Sequence, residues 1–126
     1  MILNNCIFCN LLPKEIIDEY ENFFVIRDAY PVTPLHSLII TKRHVVIYFQ
    51  FSKEELNEIP IILDTQKTEL KILDDTITGF NIGMNIGEDA GQTIFHCHVH
   101  IIPRRKGDIL NPRGGIRGVI PDKQNY

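Results

Sequence analysis

A row of alternating histidines constrains this chain more than any other feature. His96, His98 and His100 are separated by single apolar residues, within a predicted strand from Thr93 to Ile102. Because side chains alternate along a strand, the three imidazoles are predicted to project from one face. One buried imidazole is easily satisfied by a backbone carbonyl, but three neighbouring rings disfavour each other's charged forms. The row therefore indicates a functional site.

The other apolar segments predict an α+β fold with a five-stranded antiparallel sheet. Short segments bounded by turn residues predict four further strands, at Ile16–Tyr20, Phe23–Arg27, His36–Thr41 and Gly79–Asn85. The short connections between the first three favour antiparallel pairing. A short helical turn is expected around Ile7–Leu11.

One main helix is predicted between the third and fourth strands. Ser52 and Glu55 have the spacing of a capping box, so the helix is expected to begin there and to run to Asp74. Pro60 lacks a backbone N–H and predicts a kink or a break. Apolar residues at roughly helical spacing define the face expected to cover the sheet, namely Leu56, Ile59, Leu63, Leu70 and Leu73.

Length and composition predict one compact domain. The chain has 126 residues, of which 44% are hydrophobic, and two domains of half this size would each bury too little surface. Its apolar runs are too short to cross a bilayer, and its first residues do not resemble a secretory signal. We therefore expect a cytoplasmic protein without a membrane partner.

The charge is unevenly distributed. The chain has a net charge of −3, yet the segment from Arg104 to the end holds six basic residues and two acidic ones. A basic tail on an acidic body disfavours a broad nucleic-acid surface but suits a few phosphate groups held locally. The alternative is a solvated tail whose arginines pair with carboxylates of the body.

Cys6 and Cys9 form a C-x-x-C pair, and Cys97 is the third cysteine. An odd number of cysteines suits reduced thiols or metal ligation better than a disulfide framework. Tetrahedral zinc favours this spacing but needs two more ligands, and no second C-x-x-C is present. Free thiols and a redox pair are the alternatives. Cys97 is expected to face the core.

The histidine row resembles the signature of the histidine triad (HIT) family. His96 to Ile102 follows the family pattern H-φ-H-φ-H-φ-φ, with Cys97 in the first apolar position. Further similarities cover nearly the whole chain, at Cys6 to Cys9, Asp28, Thr33 to Ile40, Lys42, His44, Asn85 and Gly91 to Thr93. The resemblance implies one HIT domain over residues 1–126, with 104–126 as a basic extension. It also implies a homodimer whose sheets join edge to edge.

The resemblance further implies a nucleotide hydrolase or nucleotidyl transferase that cleaves at the α-phosphate of a purine nucleotide conjugate. His98 resembles the family's nucleophile, His100 resembles its α-phosphate ligand, and His36 would support them. A neutral imidazole attacks phosphorus without a strong base, which agrees with this role. The implied nucleotide contacts are phosphate-side or ribose-side donors at Asn85, Gly91, Gln92 and Thr93, a ribose ligand at Asp28, and base-pocket walls at Ile7, Phe8, Leu11, Ile26 and Leu38.

A subset of the family binds zinc, and this chain resembles it. The ligands implied by that resemblance are Cys6, Cys9, His44 and His96. Four protein ligands leave no open position for water, so the resemblance implies a structural Zn²⁺.

The tail resembles the C-terminal extension of bacterial dinucleoside polyphosphate hydrolases, which can reach the partner subunit's site. An arginine there would suit distal phosphates, although no motif selects one. Two other interpretations remain open. In one, His98, His100 and a third histidine of the row would be ligands of a catalytic zinc in a hydrolase. In the other, the fold would bind nucleotides without catalysis, as a sensor or scaffold.

Overall fold

The computed structural model describes residues 3–126, which fold into the α+β class predicted from the sequence. In this part of the chain the sheet has five antiparallel strands in the order β1-β2-β3-β5-β4. The strands are β1 (Ile16–Glu19), β2 (Phe23–Arg27), β3 (Ser37–Thr41), β4 (Ile77–Gly83) and β5 (His98–Arg105).

The last strand begins later than predicted. β5 starts at His98 rather than Thr93 and is paired with β3 from Ile40↔His98 onwards. Thr41 follows Ile40 in β3, and its carbonyl oxygen accepts a hydrogen bond from the Nε2–H of His96 at 2.7 Å. A side-chain hydrogen bond therefore takes the place of the ladder, and His96 lies just outside the strand.

One long helix, α1 (Lys53–Leu73), covers one face of the sheet. The predicted capping box is present, because Glu55 N–H donates to Ser52 Oγ and Ser52 N–H donates to the Glu55 carboxylate. The Glu55 carboxylate is buried and also accepts from Arg43 at 2.7 Å. The helix continues through Pro60, so the predicted break does not occur.

The buried face of α1 agrees in part with the predicted one, because Leu70 is fully buried and Ile59 and Leu63 pack against the core. Ile62, Gln66 and Leu70 are fully buried, whereas Leu56 and Leu73, which the sequence places on the core face, are exposed. Apolar residues occupy consecutive positions from Ile59 to Leu63, so periodicity alone does not select one face.

Alternation along the central strands separates two apolar clusters. Val25, Ile39 and Val99 pack with Phe23 and Ile62 beneath α1. The opposite side of the sheet carries Ile26, Leu38 and Ile40, together with Phe8 from the N-terminal segment. His98 and His100 lie on this second side because they alternate with Val99.

The N-terminal segment is a series of turns. The helical turn predicted around Ile7–Leu11 is a hydrogen-bonded turn, in which the N–H of Cys9 bonds to the Cys6 carbonyl at 3.2 Å and that of Asn10 bonds to the Ile7 carbonyl at 3.3 Å. A 3-10 helix follows at Pro13–Glu15. No helix in the described part of the chain is long and apolar enough to span a membrane.

The observed buried face of α1 predicts that two truncations to alanine will lower the free energy of unfolding by different amounts. Ile62→Ala removes a fully buried side chain and should lower the free energy of unfolding by about 2–5 kcal/mol. Leu73→Ala, at a position 62% exposed, should cost less than about 1 kcal/mol. Urea unfolding of both variants measures this, and a larger loss for Leu73→Ala would contradict the observed face.

Candidate active site and metal centre

A cavity of about 710 Å³ lies on the side of the sheet opposite α1. This volume falls within the usual range for small-ligand sites. Its lining combines apolar side chains with two charged basic residues, three histidines and several hydrogen-bonding groups. The sequence-predicted residues that line it are Ile7, Phe8, Leu11, Ile26, Asp28, His36, Leu38, Asn85, Gly91, Thr93, His98 and His100.

Gln92 is the one predicted nucleotide-binding residue that does not line the cavity. It is buried, and its carbonyl oxygen accepts from the N–H of Gly87 at 2.9 Å. Its amide donates to the carbonyl of Val46 at 2.8 Å. Both ends of the side chain are thus used to hold the loop that precedes Thr93.

His98 is held in one tautomer by the backbone. Its Nδ1 lies 2.8 Å from the carbonyl oxygen of His96. A carbonyl only accepts, so Nδ1 carries the hydrogen and Nε2 keeps its lone pair. The edge of the Phe8 ring packs 5.1 Å from the His98 ring centre and restricts its rotation.

A chain of three hydrogen-bonding groups orients His100. The N–H of Val32 donates to Nδ1 of His36 at 3.0 Å, so Nε2 of His36 must carry the hydrogen. That Nε2–H lies 2.9 Å from Nδ1 of His100, which accepts it. His100 therefore keeps its own hydrogen on Nε2, as a donor for a ligand.

Burial keeps the rings of His36 and His100 neutral at pH 7. It lowers the pKa of His100 to about 4, with further lowering from His98 and His36 and opposition from Asp28. Burial also lowers the pKa of His36, again opposed by the Asp28 carboxylate 3.4 Å from its Nε2. The site thus offers the Nε2 lone pair of His98 and the Nε2–H of His100 on neighbouring rings, and the His100 ring is uncharged.

Eight residues that line the cavity were not predicted from the sequence. The side chains or backbone of Lys14, Glu15, Ile17, Arg27, Ala29, Tyr30, Val32 and Ile94 also line it. Val32 acts through its backbone N–H, so its residue type gives no signal. Lys14 and Glu15 follow Leu11 in the N-terminal segment, and their exposure gave no apolar pattern to detect.

The second group of interest joins the N-terminal cysteines to two histidines. The ligand atoms of Cys6, Cys9, His44 and His96 all lie within 4.8 Å of one another. Cys9 Sγ is 3.2 Å from Nδ1 of His44, and Cys6 Sγ is 3.3 Å from Nδ1 of His96. These are the four residues that the family resemblance implied.

The donor set fits zinc. Two thiolates and two imidazoles form one of the common tetrahedral zinc sets. His96 is fully buried, and its Nε2–H donates to the Thr41 carbonyl, which leaves Nδ1 free to bind a metal. Such a bond from the outer nitrogen is typical of metal-bound histidine.

Asp28, His36 and His100 also place their donor atoms within 4.8 Å of one another. Nε2 of His36 carries a hydrogen, however, because Nδ1 already accepts from Val32. A metal there would require an imidazolate, so this group suits hydrogen bonding. No metal-donor group among residues 3–126 combines His98 with His100, which disfavours the zinc-hydrolase interpretation.

The comparisons with known proteins agree with this geometry. Protein hit of Bacillus subtilis is 35% identical over 113 residues, covering 82% of this chain and 74% of that protein. The crystal structure of a Zn-bound histidine triad family protein from Mycobacterium smegmatis matches with a TM-score of 0.76 and 34% identity, covering 85% of this chain and 80% of that one. Plasmodium falciparum diadenosine triphosphate hydrolase, solved in complex with cyclomarin A, matches with a TM-score of 0.73 and 26% identity, covering 90% of this chain and 74% of that one.

A sequence model of the HIT domain matches residues 11–107, most of the chain. The match includes the cavity histidines and extends from Leu11 to just beyond β5. Together with the fold and the placement of the histidine row, this match shows that the chain belongs to the histidine triad family of nucleotide hydrolases and transferases.

Proposed function

We propose that the protein cleaves purine nucleotide conjugates at the α-phosphate through a covalent nucleotidyl-His98 intermediate. The observation that carries this proposal is the bond from His98 Nδ1–H to the His96 carbonyl, which leaves an Nε2 lone pair on a ring lining the cavity. A neutral imidazole in this tautomer is ready to attack phosphorus. Membership of the HIT family agrees with the reaction class.

The reaction would have two steps. In the first, the Nε2 lone pair of His98 forms a bond to the α-phosphorus, and the bond from phosphorus to the leaving group breaks with its electron pair. In the second, a water oxygen bonds to phosphorus, the P–N electron pair returns to Nε2, and the water releases a proton. The products are a nucleoside monophosphate and the leaving group. Covalent catalysis divides one difficult displacement into two easier ones.

The surrounding residues would bind the rest of the substrate. The Nε2–H of His100, the Thr93 hydroxyl and the Asn85 amide would donate to phosphate oxygens, where charge grows in the transition state. Asp28 would accept from the ribose hydroxyls. The apolar walls would hold the base, and they are Ile7, Phe8, Leu11, Ile26 and Leu38. Gly91, at φ +92, closes the turn before Thr93 and lines the cavity, but its backbone N–H already donates to the Glu88 carbonyl at 2.9 Å and is not available as the phosphate donor that the resemblance implied.

Cys6, Cys9, His44 and His96 would hold a structural Zn²⁺. The metal would supply cross-linking of the N-terminal turns to the sheet and no catalytic chemistry, since all four positions are filled by protein. The Zn-bound Mycobacterium smegmatis relative supports this assignment.

A structural neighbour supports one class of substrate. The Plasmodium falciparum neighbour is a diadenosine triphosphate hydrolase, which supports a dinucleoside polyphosphate as the substrate. Nucleoside phosphoramidates are the other substrate class we consider.

We also propose one HIT domain over residues 1–126 in a cytoplasmic homodimer joined through the free edge of β4.

The nucleophile assignment predicts a separation of binding from turnover. His98→Ala should lose at least about 10³-fold in hydrolysis of an adenylyl substrate but keep its affinity for AMP. Rapid quenching without acid should trap labelled nucleotide on the wild-type protein and none on the variant. A wild-type protein that binds AMP without turnover would instead support the sensor or scaffold interpretation.

The zinc assignment predicts which substitutions release metal. We expect about one zinc per chain, lost in Cys6→Ser and Cys9→Ser and retained in His98→Ala. Elemental analysis of purified proteins measures this. Zinc lost from His98→Ala and retained in the cysteine variants would favour a catalytic zinc.

The neutral state of His100 predicts a pH effect on stability. Its pKa is about 4 in the fold against an ordinary value of 6.5, so the fold favours the neutral ring. That contribution is complete above pH 6.5 and is lost as the pH falls through 4. Between pH 7 and pH 4 the free energy of unfolding should fall by about 1–3 kcal/mol more in the wild type than in His100→Gln. Urea unfolding at each pH measures this free energy, and an equal fall with pH in the two proteins would contradict the prediction.

A further inference from the structure

A strained turn lies immediately before the ring that orients His100. The four residues from Thr33 to His36 form a β-turn, in which the N–H of His36 donates to the carbonyl of Thr33 at 3.1 Å. Leu35, at the third position of this turn, has φ +71 and is the one non-glycine residue among residues 3–126 with a positive φ. Glycine is usual at a left-handed third position, because a side chain makes that conformation costly. The surrounding structure must therefore stabilise the backbone of Leu35.

The side chain of Leu35 has a function that glycine could not perform. It packs against an apolar cluster formed by Leu70 of α1, Ile77 of β4 and Ile101 of β5. This contact anchors the turn to the core between the helix and the sheet. Apolar packing has no preferred direction, however, so it does not fix the orientation of the Leu35 carbonyl. That orientation needs a hydrogen bond.

Ser37, the first residue of β3, supplies this hydrogen bond. It is fully buried, and its hydroxyl donates to the carbonyl oxygen of Leu35 at 2.8 Å. The same oxygen accepts from Nη1 of Arg27 at 2.8 Å. A guanidinium only donates, so the hydroxyl hydrogen stays directed at Leu35, and the charged donor strengthens the bond that the hydroxyl makes. Two strands thus hold the carbonyl of the strained residue.

The position of the turn determines where the ring of His36 lies. His36 is buried, and its carbonyl accepts from the N–H of Asp28 at 2.9 Å. Its Nδ1 accepts from Val32 at 3.0 Å, and its Nε2–H donates to Nδ1 of His100 at 2.9 Å. A rotation of Leu35 to a relaxed, negative φ would redirect the chain at His36 and break the bond to His100. The hydrogen on His100 would then no longer be confined to Nε2.

We propose that Ser37 is a positioning residue for the proposed active site. Its hydroxyl keeps Leu35 in the left-handed conformation and thereby aligns His36 with His100. The inference rests on the proposed reaction, in which the Nε2–H of His100 donates to the α-phosphate. Ser37 does not line the cavity, so its loss affects the reaction through His100 rather than through direct contact with the nucleotide.

A kinetic test separates this role from nucleotide binding and from general stability. Ser37→Ala should lower kcat for an adenylyl substrate by about tenfold, because His100 becomes a poorly aligned donor, and change the affinity for AMP by less than about threefold. Ile62→Val is the control, since it destabilises the core beneath α1 without touching the turn, and it should change kcat by less than about twofold. An equal loss of kcat in Ile62→Val, or a loss confined to affinity, would overturn the proposal.

A double-mutant cycle tests whether Ser37 acts through the conformation of Leu35. Glycine adopts a positive φ without steric cost, so Leu35→Gly should remove the need for the hydroxyl. In the Leu35→Gly background, Ser37→Ala should lower kcat by less than about twofold, against about tenfold in the wild-type background. Equal losses in the two backgrounds would contradict the proposed mechanism.

A spectroscopic measurement separates this inference from the proposed function. Nitrogen-15 NMR of labelled histidine reports which imidazole nitrogen carries the hydrogen. His100 should show the Nε2–H tautomer alone in the wild type and a mixture of both tautomers in Ser37→Ala. That result supports the positioning role even if no substrate is turned over, in which case only the proposed reaction fails. An unchanged His100 tautomer in Ser37→Ala would disprove the positioning role alone.

Discussion

The hydrogen bonds made by His96 connect the two functional parts of this molecule. Its Nε2–H donates to the Thr41 carbonyl, which ends the β3–β5 ladder and directs Nδ1 toward Cys6 and Cys9. Its own backbone carbonyl accepts from Nδ1–H of His98. One buried residue therefore fixes the cysteine–histidine cluster with its ring and the tautomer of the proposed nucleophile with its backbone. A displacement of His96 would disturb both sites together.

Three chemically identical side chains acquire different properties through the partner of one nitrogen each. A carbonyl on Nε2 of His96 leaves Nδ1 for a metal, whereas a carbonyl on Nδ1 of His98 leaves Nε2 for a substrate. His100 differs again, because its Nδ1 accepts from His36 and its Nε2 remains a donor. Burial supports this division at His96 and His100, because it lowers the pKa of both rings and a protonated ring would donate from both nitrogens. Each tautomer is thus a consequence of the partner that the ring meets rather than of residue type.

Features governed by local spacing were predictable from the sequence, and features governed by long-range contacts were not. The strand alternation placed His98 and His100 together, and the capping box placed the start of α1. The start of β5 was predicted too early because the contact between His96 and Thr41 joins residues far apart in the chain. The buried face of α1 was predicted only in part, because apolar residues surround the helix near Ile59 to Leu63. Nothing in the sequence marks Val32, which acts through its backbone, or separates Gln92, which supports a loop, from its cavity-lining neighbour Thr93.

The distribution of charge follows from the same geometry. A polyphosphate ligand would be repelled by a body that carries an excess of carboxylates, and burial lowers the pKa of the His36 and His100 rings in the cavity. Charged rings in the cavity would attract the ligand, but they would also cost His98 its lone pair and His100 its acceptor nitrogen. The cations that line the cavity, Lys14 and Arg27, avoid this conflict because they carry positive charge on side chains other than the histidines.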